Sequence, residues 1–237
     1  MISSSPRKVT PVLRSDLDGE RSLPAHAFAA PPSSLHHPQV LIYREDIWRC
    51  RAKRALDIAL VIMVALPAAA LVGLACLAIM LEDGRPCFFL QRRSGRFERV
   101  FTIWKLRTMR RSQCFDASAP TSAQDGRVTL VGRILRKTSI DELPQLFNVL
   151  RGDMSLVGPR PEQLAKVNQY LHWQHLRHLV VPGITGVWQT THRKSVVLDT
   201  PQATALDLEY IRRTSVAFDV ALILRTVRCL ISAKGAY

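Results

Sequence analysis

The chain has 237 residues, with 33 Lys and Arg against 19 Asp and Glu and a formal charge of +14. A hydrophobic fraction of 47% and a mean hydropathy of +0.04 exclude whole-chain disorder and a polytopic membrane protein. The positive excess falls almost entirely after residue 50 and points to a polyanionic partner: nucleic acid, anionic lipid or a phosphorylated substrate.

Residues 1–50 hold six of the fourteen prolines, scattered among Ser, His and Ala, and Pro31-Pro32-Ser33-Ser34 is a loop signal. A mostly disordered, near-neutral tail is expected there. Met1–Thr10 shows no apolar run and no small-residue cleavage site, so no secretory leader is expected. The five cysteines, at 50, 76, 87, 114 and 229, are odd in number and include no C-x-x-C pair. That argues against a disulfide framework or a zinc knuckle and fits a reducing compartment.

Ala59–Leu81 then runs for 23 residues without a charge. This is long enough to cross a hydrocarbon core about 30 Å thick, which takes about 20 helical residues. Pro67 sits near its middle, where it removes a backbone donor. Both flanks are basic: Arg51, Lys53 and Arg54 before; Arg85, Arg92, Arg93, Arg96 and Arg99 after. Positive charge at both ends favours the cytoplasmic side for both. A broken helix that enters and leaves by one face satisfies this, and so does an ordinary span that tolerates its proline; the residues alone leave the two open.

The β-branched and aromatic residues of Pro86–Gln91 and Val100–Leu106, around a polar turn at Ser94-Gly95, predict a hairpin. Residues 112–127 predict a loop. Helices are expected over Thr129–Arg136, Ser139–Leu150 and Glu162–Leu179, with two more in Pro201–Leu230. The last two carry Arg212, Arg213, Arg225 and Arg228 among apolar positions, as membrane-surface helices do. His172, His175 and His178 recur at every third position, but no carboxylate lies near them in sequence, and a solvated or interfacial face is expected. Cys87 and Cys114 show no activating neighbours and are expected to be inert.

Chemistry concentrates in residues 134–161. Ser139-x-x-Glu142 reads as a capping box, and acids in a first helical turn favour the helix dipole. Capping explains one acid, but not comfortably both Asp141 and Glu142. The second reading is a carboxylate pair at a helix N-terminus between Arg136 and Arg160, a setting that gathers phosphate and lets a carboxylate hold Mg²⁺ or act as a nucleophile. A nucleic-acid reader is disfavoured, because the basic residues lack an aromatic-rich surface. A silent lipid-binding scaffold would have no use for two flanked acids.

The run Arg136–Pro161, RKTSIDELPQLFNVLRGDMSLVGPRP, resembles the signature of the bacterial sugar transferases, the monotopic polyprenyl-phosphate phosphoglycosyl transferases. Lys53-Arg54-x-x-Asp57, Gln91-x-Arg93-x-Gly95, Lys105-Leu-Arg107-Thr-Met109, Pro182–Gln189 and Asp207-x-Glu209-Tyr210-Ile211 are similar to further motifs of that family, in order, over about residues 51–237. The resemblance is to its compact members. It implies an α+β, mainly α, monotopic protein: a tail over 1–50, a re-entrant helix over 51–84 broken at Pro67, and a cytosolic catalytic domain over 85–237 with interfacial helices. It implies transfer of a sugar 1-phosphate from a UDP-sugar to polyprenyl (undecaprenyl) phosphate, with release of UMP, at the cytosolic face of the bacterial inner membrane. Such a step initiates exopolysaccharide, capsule or O-antigen-type glycans, and downstream glycosyltransferases and membrane lipid are implied partners.

Matched residue by residue, the resemblance makes Asp141 the nucleophile of a covalent phosphosugar intermediate and a Mg²⁺ ligand. Glu142 becomes the partner that helps activate the lipid phosphate, and Arg136, Arg160 and Arg193 phosphate contacts. The chain departs from the pattern at Leu66-Pro67, where Ser-Pro is common, at Val181, and at Thr190-Thr191-His192-Arg193.

Overall fold

A computed structural model describes residues 51–111, 125–191 and 200–231. The expected tail, Cys50, Cys114, most of the predicted loop, His192 and Arg193 lie outside them. The described residues are mainly helical, with a small antiparallel sheet, as α+β with a helical bias predicts.

The apolar stretch forms α1 (Arg51–Asp83). Its expected break does not interrupt the helix: Pro67 stands inside α1. Proline deletes one donor and displaces one carbonyl, while the ladder continues on either side. Its buried positions, Lys53, Asp57, Val61, Ala68, Ala75 and Ile79, recur at steps of four and seven and so share one face. Val61 packs with Ile103, Val149 and Met154; Ala75 and Ile79 pack with Leu106 and Leu135. The other faces expose large apolar groups, among them Ile62, Met63, Leu66, Leu74 and Leu81.

The predicted hairpin is present as β1 (Phe88–Ser94) and β2 (Val100–Leu106), antiparallel, with a short 3₁₀ turn over Arg96–Glu98. α2 (Leu130–Thr138) begins one residue after its N-cap Thr129, whose hydroxyl accepts from the Gly132 amide at 2.9 Å. Gly132 faces Thr108 so closely that a Cβ would fall 2.1 Å from the Thr108 carbonyl oxygen.

The region after α2 departs from expectation. Ser139 is not a capping-box residue: it ends α2 in the left-handed region at φ 58°, and its side chain makes no cap bond. A 3₁₀ turn over Ile140–Glu142 follows, and then α3 (Gln145–Arg151), with Pro144 as N-cap and Gly152 as the left-handed stop. Pro144 lacks a donor, so the start of α3 is where it does no harm, and the two acids fall before the helix rather than in its first turn.

The helix expected over Glu162–Leu179 is replaced by three elements. These are β4 (Glu162–Gln163), α4 (Leu164–Val167) and a 3₁₀ helix over His172–Leu179. β4 pairs with β1 through Arg93↔Gln163 and Ser94↔Glu162, giving the sheet order β2-β1-β4; strand pairing overrides local helix propensity. β3 (Ser155–Val157) pairs in parallel with β5 (Gly183–Thr185), followed by α5 (Val187–Thr191). The two final helices are α6 (Thr200–Arg213) and α7 (Val216–Ile231).

Charged groups at the start of α1 tie these pieces together. The Lys53 ammonium donates to the Val157 carbonyl at 3.1 Å and pairs with the Asp219 carboxylate, which also accepts from the Tyr210 hydroxyl at 2.7 Å. Asp57 accepts from the Ser155 hydroxyl at 2.8 Å and the Leu156 amide at 3.2 Å. Both members of the Lys53–Asp219 pair are almost fully buried, so removing one strands the other. Asp219→Ala should therefore cost about 3–5 kcal/mol of stability. The double replacement Lys53→Met/Asp219→Leu should recover most of that loss. Chemical denaturation of the detergent-solubilised chain measures both, and equal stability of Asp219→Ala and the parent would refute the role of the pair.

Candidate functional site

The site forms where β1, β2, the Ile140–Glu142 turn and the loop after β3 converge around a cavity of about 600 Å³. Alternation along β1 turns Phe89, Gln91 and Arg93 toward it. Lys105, opposite Phe89 across the ladder, joins them. Arg160 is placed by a close crossing of two backbones. The Gly158 amide donates to the Thr185 carbonyl at 2.9 Å, and the Gly183 amide to the Pro159 carbonyl at 2.8 Å. A Cβ on Gly183 would lie 2.0 Å from the Gly158 nitrogen, so the crossing requires glycine. The Arg177 guanidinium, itself paired with buried Asp207 at 2.6 Å, donates to the Arg160 carbonyl at 2.8 Å.

The two adjacent acids meet different fates. Glu142 accepts from Lys105 at 2.8 Å and Arg160 at 2.6 Å. Burial pushes the Glu142 carboxyl up, but the charges and hydrogen bonds of Arg160 and Lys105 outweigh it and hold the group well below the usual carboxylate range. Asp141 takes no hydrogen bond or salt bridge among the described residues. Burial, and then the neighbouring Glu142 charge, push its carboxyl up to about 6. Arg136, at the end of α2, also lines the cavity and donates from Nε to the Thr108 hydroxyl at 2.8 Å.

This arrangement combines a permanent anion that orders two cations with a second carboxylate that is unengaged and opens on a basic cavity. The Asp141 oxygens fit Mg²⁺, which is commonly held by one or two carboxylates with substrate phosphates and water completing the shell. The same oxygens are free to act as a nucleophile.

Four sequence-derived residues, Arg136, Asp141, Glu142 and Arg160, come together here. Arg193 lies outside the described residues, and Pro67 is elsewhere, in α1. Lys105, Gln91 and Arg93 were not predicted as site residues. Their motifs were visible, but only the strand register shows that 89, 91, 93 and 105 share the cavity face. Arg93 donates to the Gln91 side chain at 2.6 Å and the Pro161 carbonyl at 3.2 Å; burial, then Arg160, lowers it to about 10. Trp188 also lines the cavity.

Comparison with known proteins bears on the same stretch. The bacterial sugar transferase family matches residues 48–233. Undecaprenyl-phosphate glucose phosphotransferase of Komagataeibacter xylinus is 42% identical over 200 residues, covering 80% of this chain and 38% of that protein. UDP-N-acetylgalactosamine-undecaprenyl-phosphate N-acetylgalactosaminephosphotransferase of Aeromonas hydrophila is 42% identical over 191 residues, covering 78% and 44%. UDP-glucose:undecaprenyl-phosphate glucose-1-phosphate transferase of Caulobacter vibrioides is 42% identical over 191 residues, covering 78% and 72%. The chain thus spans about two fifths of the length of the first two.

The electrostatic split within the acid pair is measurable. Glu142→Gln removes the negative charge beside Asp141 and frees Lys105 and Arg160 to act on it, so the Asp141 carboxyl should titrate below its value of about 6. Carbon-13 NMR of aspartate-labelled protein reads this directly. An unchanged or higher Asp141 titration in Glu142→Gln would show that the two acids are not coupled.

Proposed function

This chain belongs to the bacterial sugar transferase family, and from that premise we propose that it transfers a sugar 1-phosphate from a UDP-sugar to polyprenyl phosphate, releasing UMP. The observation that carries this reading is the split dyad: Glu142 committed to Lys105 and Arg160, Asp141 unengaged above the cavity. In the first step an Asp141 carboxylate oxygen attacks the phosphorus that bears the sugar. The bond from that phosphorus to the bridging oxygen breaks, and UMP leaves with the electron pair. In the second step a phosphate oxygen of the lipid attacks the same phosphorus, the bond to Asp141 breaks, and the carboxylate is restored.

Mg²⁺, held at Asp141, supplies charge neutralisation for an anion approaching an anion. Arg136 and Arg160 are assigned the same duty toward the phosphates. Glu142 is poorly suited to carry a proton, because two cations hold it ionised. Its help to the acceptor is to fix Arg160 and Lys105, the groups that bind the acceptor's phosphate.

We place the chain at the cytosolic face of the bacterial inner membrane, with α1 as a monotopic membrane element and residues 85–237 as the catalytic domain. What supports this is that one body of protein holds both ends of α1. Arg54 near its start donates to the Leu150 carbonyl at 2.8 Å, while Glu82 near its end accepts from the Leu130 and Val131 amides at 2.7 and 2.9 Å. A helix of 33 residues is about 50 Å long, and a plain crossing would have to separate those contacts to opposite sides of the bilayer. Exposed Leu130 and Ile134 on α2, and Val216, Val220, Leu224 and Val227 on α7, add apolar stripes suited to the interface. Transfer of this class initiates exopolysaccharide-type glycans, so glycosyltransferases acting on the lipid-linked sugar are the expected next partners.

Asp141→Asn should abolish turnover, a loss on the order of 10³-fold or more, with insertion in the membrane intact. With a radiolabelled UDP-sugar and Mg²⁺ but no lipid acceptor, the parent should retain label and release UMP; chelation or Asp141→Asn should remove both. UMP formation that always requires both substrates, with no label trapped, would instead support direct attack by the lipid.

Topology is tested separately. In a cysteine-free background, Thr10→Cys and Pro120→Cys should both resist an impermeant reagent applied to intact cells. Reaction at position 10 alone would mean that α1 spans.

A further inference from the structure

We propose that Glu98, His175 and His178 form a binding site for a transition dication of the zinc class, remote from the acid pair in role and in residues. In a 3₁₀ helix three residues complete a turn, so positions three apart eclipse one another. His172, His175 and His178 therefore align down one side of the 3₁₀ helix over His172–Leu179. The carboxylate missing from the sequence neighbourhood comes from the hairpin turn. Phe97 and Glu98 adopt left-handed φ values of 53° and 58°, and the turn folds back so that Glu98 Oε1 lies 2.6 Å from His175 Nδ1 and 3.7 Å from His178 Nδ1.

One ligand atom from each of the three residues lies within 4.8 Å of the others. Around tetrahedral zinc, with bonds of about 2.0–2.1 Å, such atoms stand about 3.3 Å apart, so adjustments of roughly an ångström would complete the site. Two imidazoles and a carboxylate are the ligand set that suits zinc and its imidazole-preferring neighbours rather than Mg²⁺.

An ion pair between Glu98 and a protonated His175 accounts for part of this geometry and leaves His178 unexplained. His178 is 6% exposed, and neither ring nitrogen has a hydrogen-bond partner. A buried polar group without a partner is uncommon and costly, and a metal bond to one nitrogen would satisfy it. The nearby guanidinium groups have other engagements: Arg177 with Asp207, Tyr170 and the Arg160 carbonyl, and Arg96 with the Leu179 carbonyl. Glu98 is half exposed, leaving room for water as a further ligand. A metal here would staple the hairpin turn to the 3₁₀ helix whose Arg177 supports the Arg160 backbone.

The test uses the full chain in detergent, in an Asp141→Asn background so that the acid pair does not contribute. Metal-stripped protein is titrated with Zn²⁺ against a chromophoric chelator, and with Co²⁺ for its visible spectrum. His26, His36, His37 and His192 offer other ligands, so the readout is the difference between this protein and the same chain carrying Glu98→Gln or His175→Gln. Both positions are partly exposed, so these variants should keep the metal-free melting temperature of the parent. We expect one tight Zn²⁺ equivalent in the parent, weakened at least tenfold by either replacement, with loss of the matching Co²⁺ absorption. Zn²⁺ binding that is identical in all three proteins, or no equivalent bound at micromolar metal, would overturn the proposal.

Discussion

The burial of one ammonium group organises this molecule. Lys53 opens the apolar helix, yet its charge ends in the protein interior against Asp219 and the Val157 carbonyl, and Tyr210 completes the shell. An ammonium is tolerated at such depth when an opposite charge and further hydrogen bonds surround it. Meeting that demand requires the first turn of α1, the strand β3 and the helices α6 and α7 to converge on one point. Asp57, one turn along, repeats the demand with opposite sign and meets it from Ser155 and Leu156 of the same strand. β3 is thereby fixed to the apolar helix on one side and to the C-terminal helices on the other.

The site inherits this fixity. β3 leads directly into Gly158-Pro159-Arg160, and the glycine crossing with Gly183 leaves the loop no room to drift. On the other side, buried Asn148 of α3 donates to the Thr102 carbonyl at 2.8 Å and accepts from the Trp104 amide, so the strand that carries Lys105 is held to the helix following the acids. Arg160 and Lys105 thus reach Glu142 from two independently braced elements. The cost of burying Glu142 is met by the two cations, and Asp141 is left without a partner beside it. Preorganisation of this kind lets charges act on a substrate without first being rearranged.

Legibility in the sequence followed the range of the interactions. The apolar helix, the hairpin and the two C-terminal helices rest on local pattern and were visible. So were Asp141, Glu142, Arg136 and Arg160, which sit within 25 residues of one another. The helix expected over Glu162–Leu179 failed because β1 recruits Glu162 and Gln163 as a strand, a contact of high sequence separation. The capping box failed because Ser139 already serves the preceding helix as its left-handed terminus. Lys105 and Arg93 depended on strand register. Glu98 lies 77 residues from His175, and nothing in the local pattern around the histidines indicates it.

The reach of the Lys53 contact also bears on how the chain is made. Asp219 follows Lys53 by 166 residues, and Val157 follows it by 104. During synthesis the apolar helix is complete long before any partner for its ammonium exists. Until α7 emerges, Lys53 lacks Asp219, and the charged groups Lys53, Arg54 and Asp57 keep that end of α1 in water. The charges that later knit the folded core therefore serve first as a float. They hold one end of a greasy segment at the aqueous boundary until α7 arrives, and closure of the core waits on its emergence.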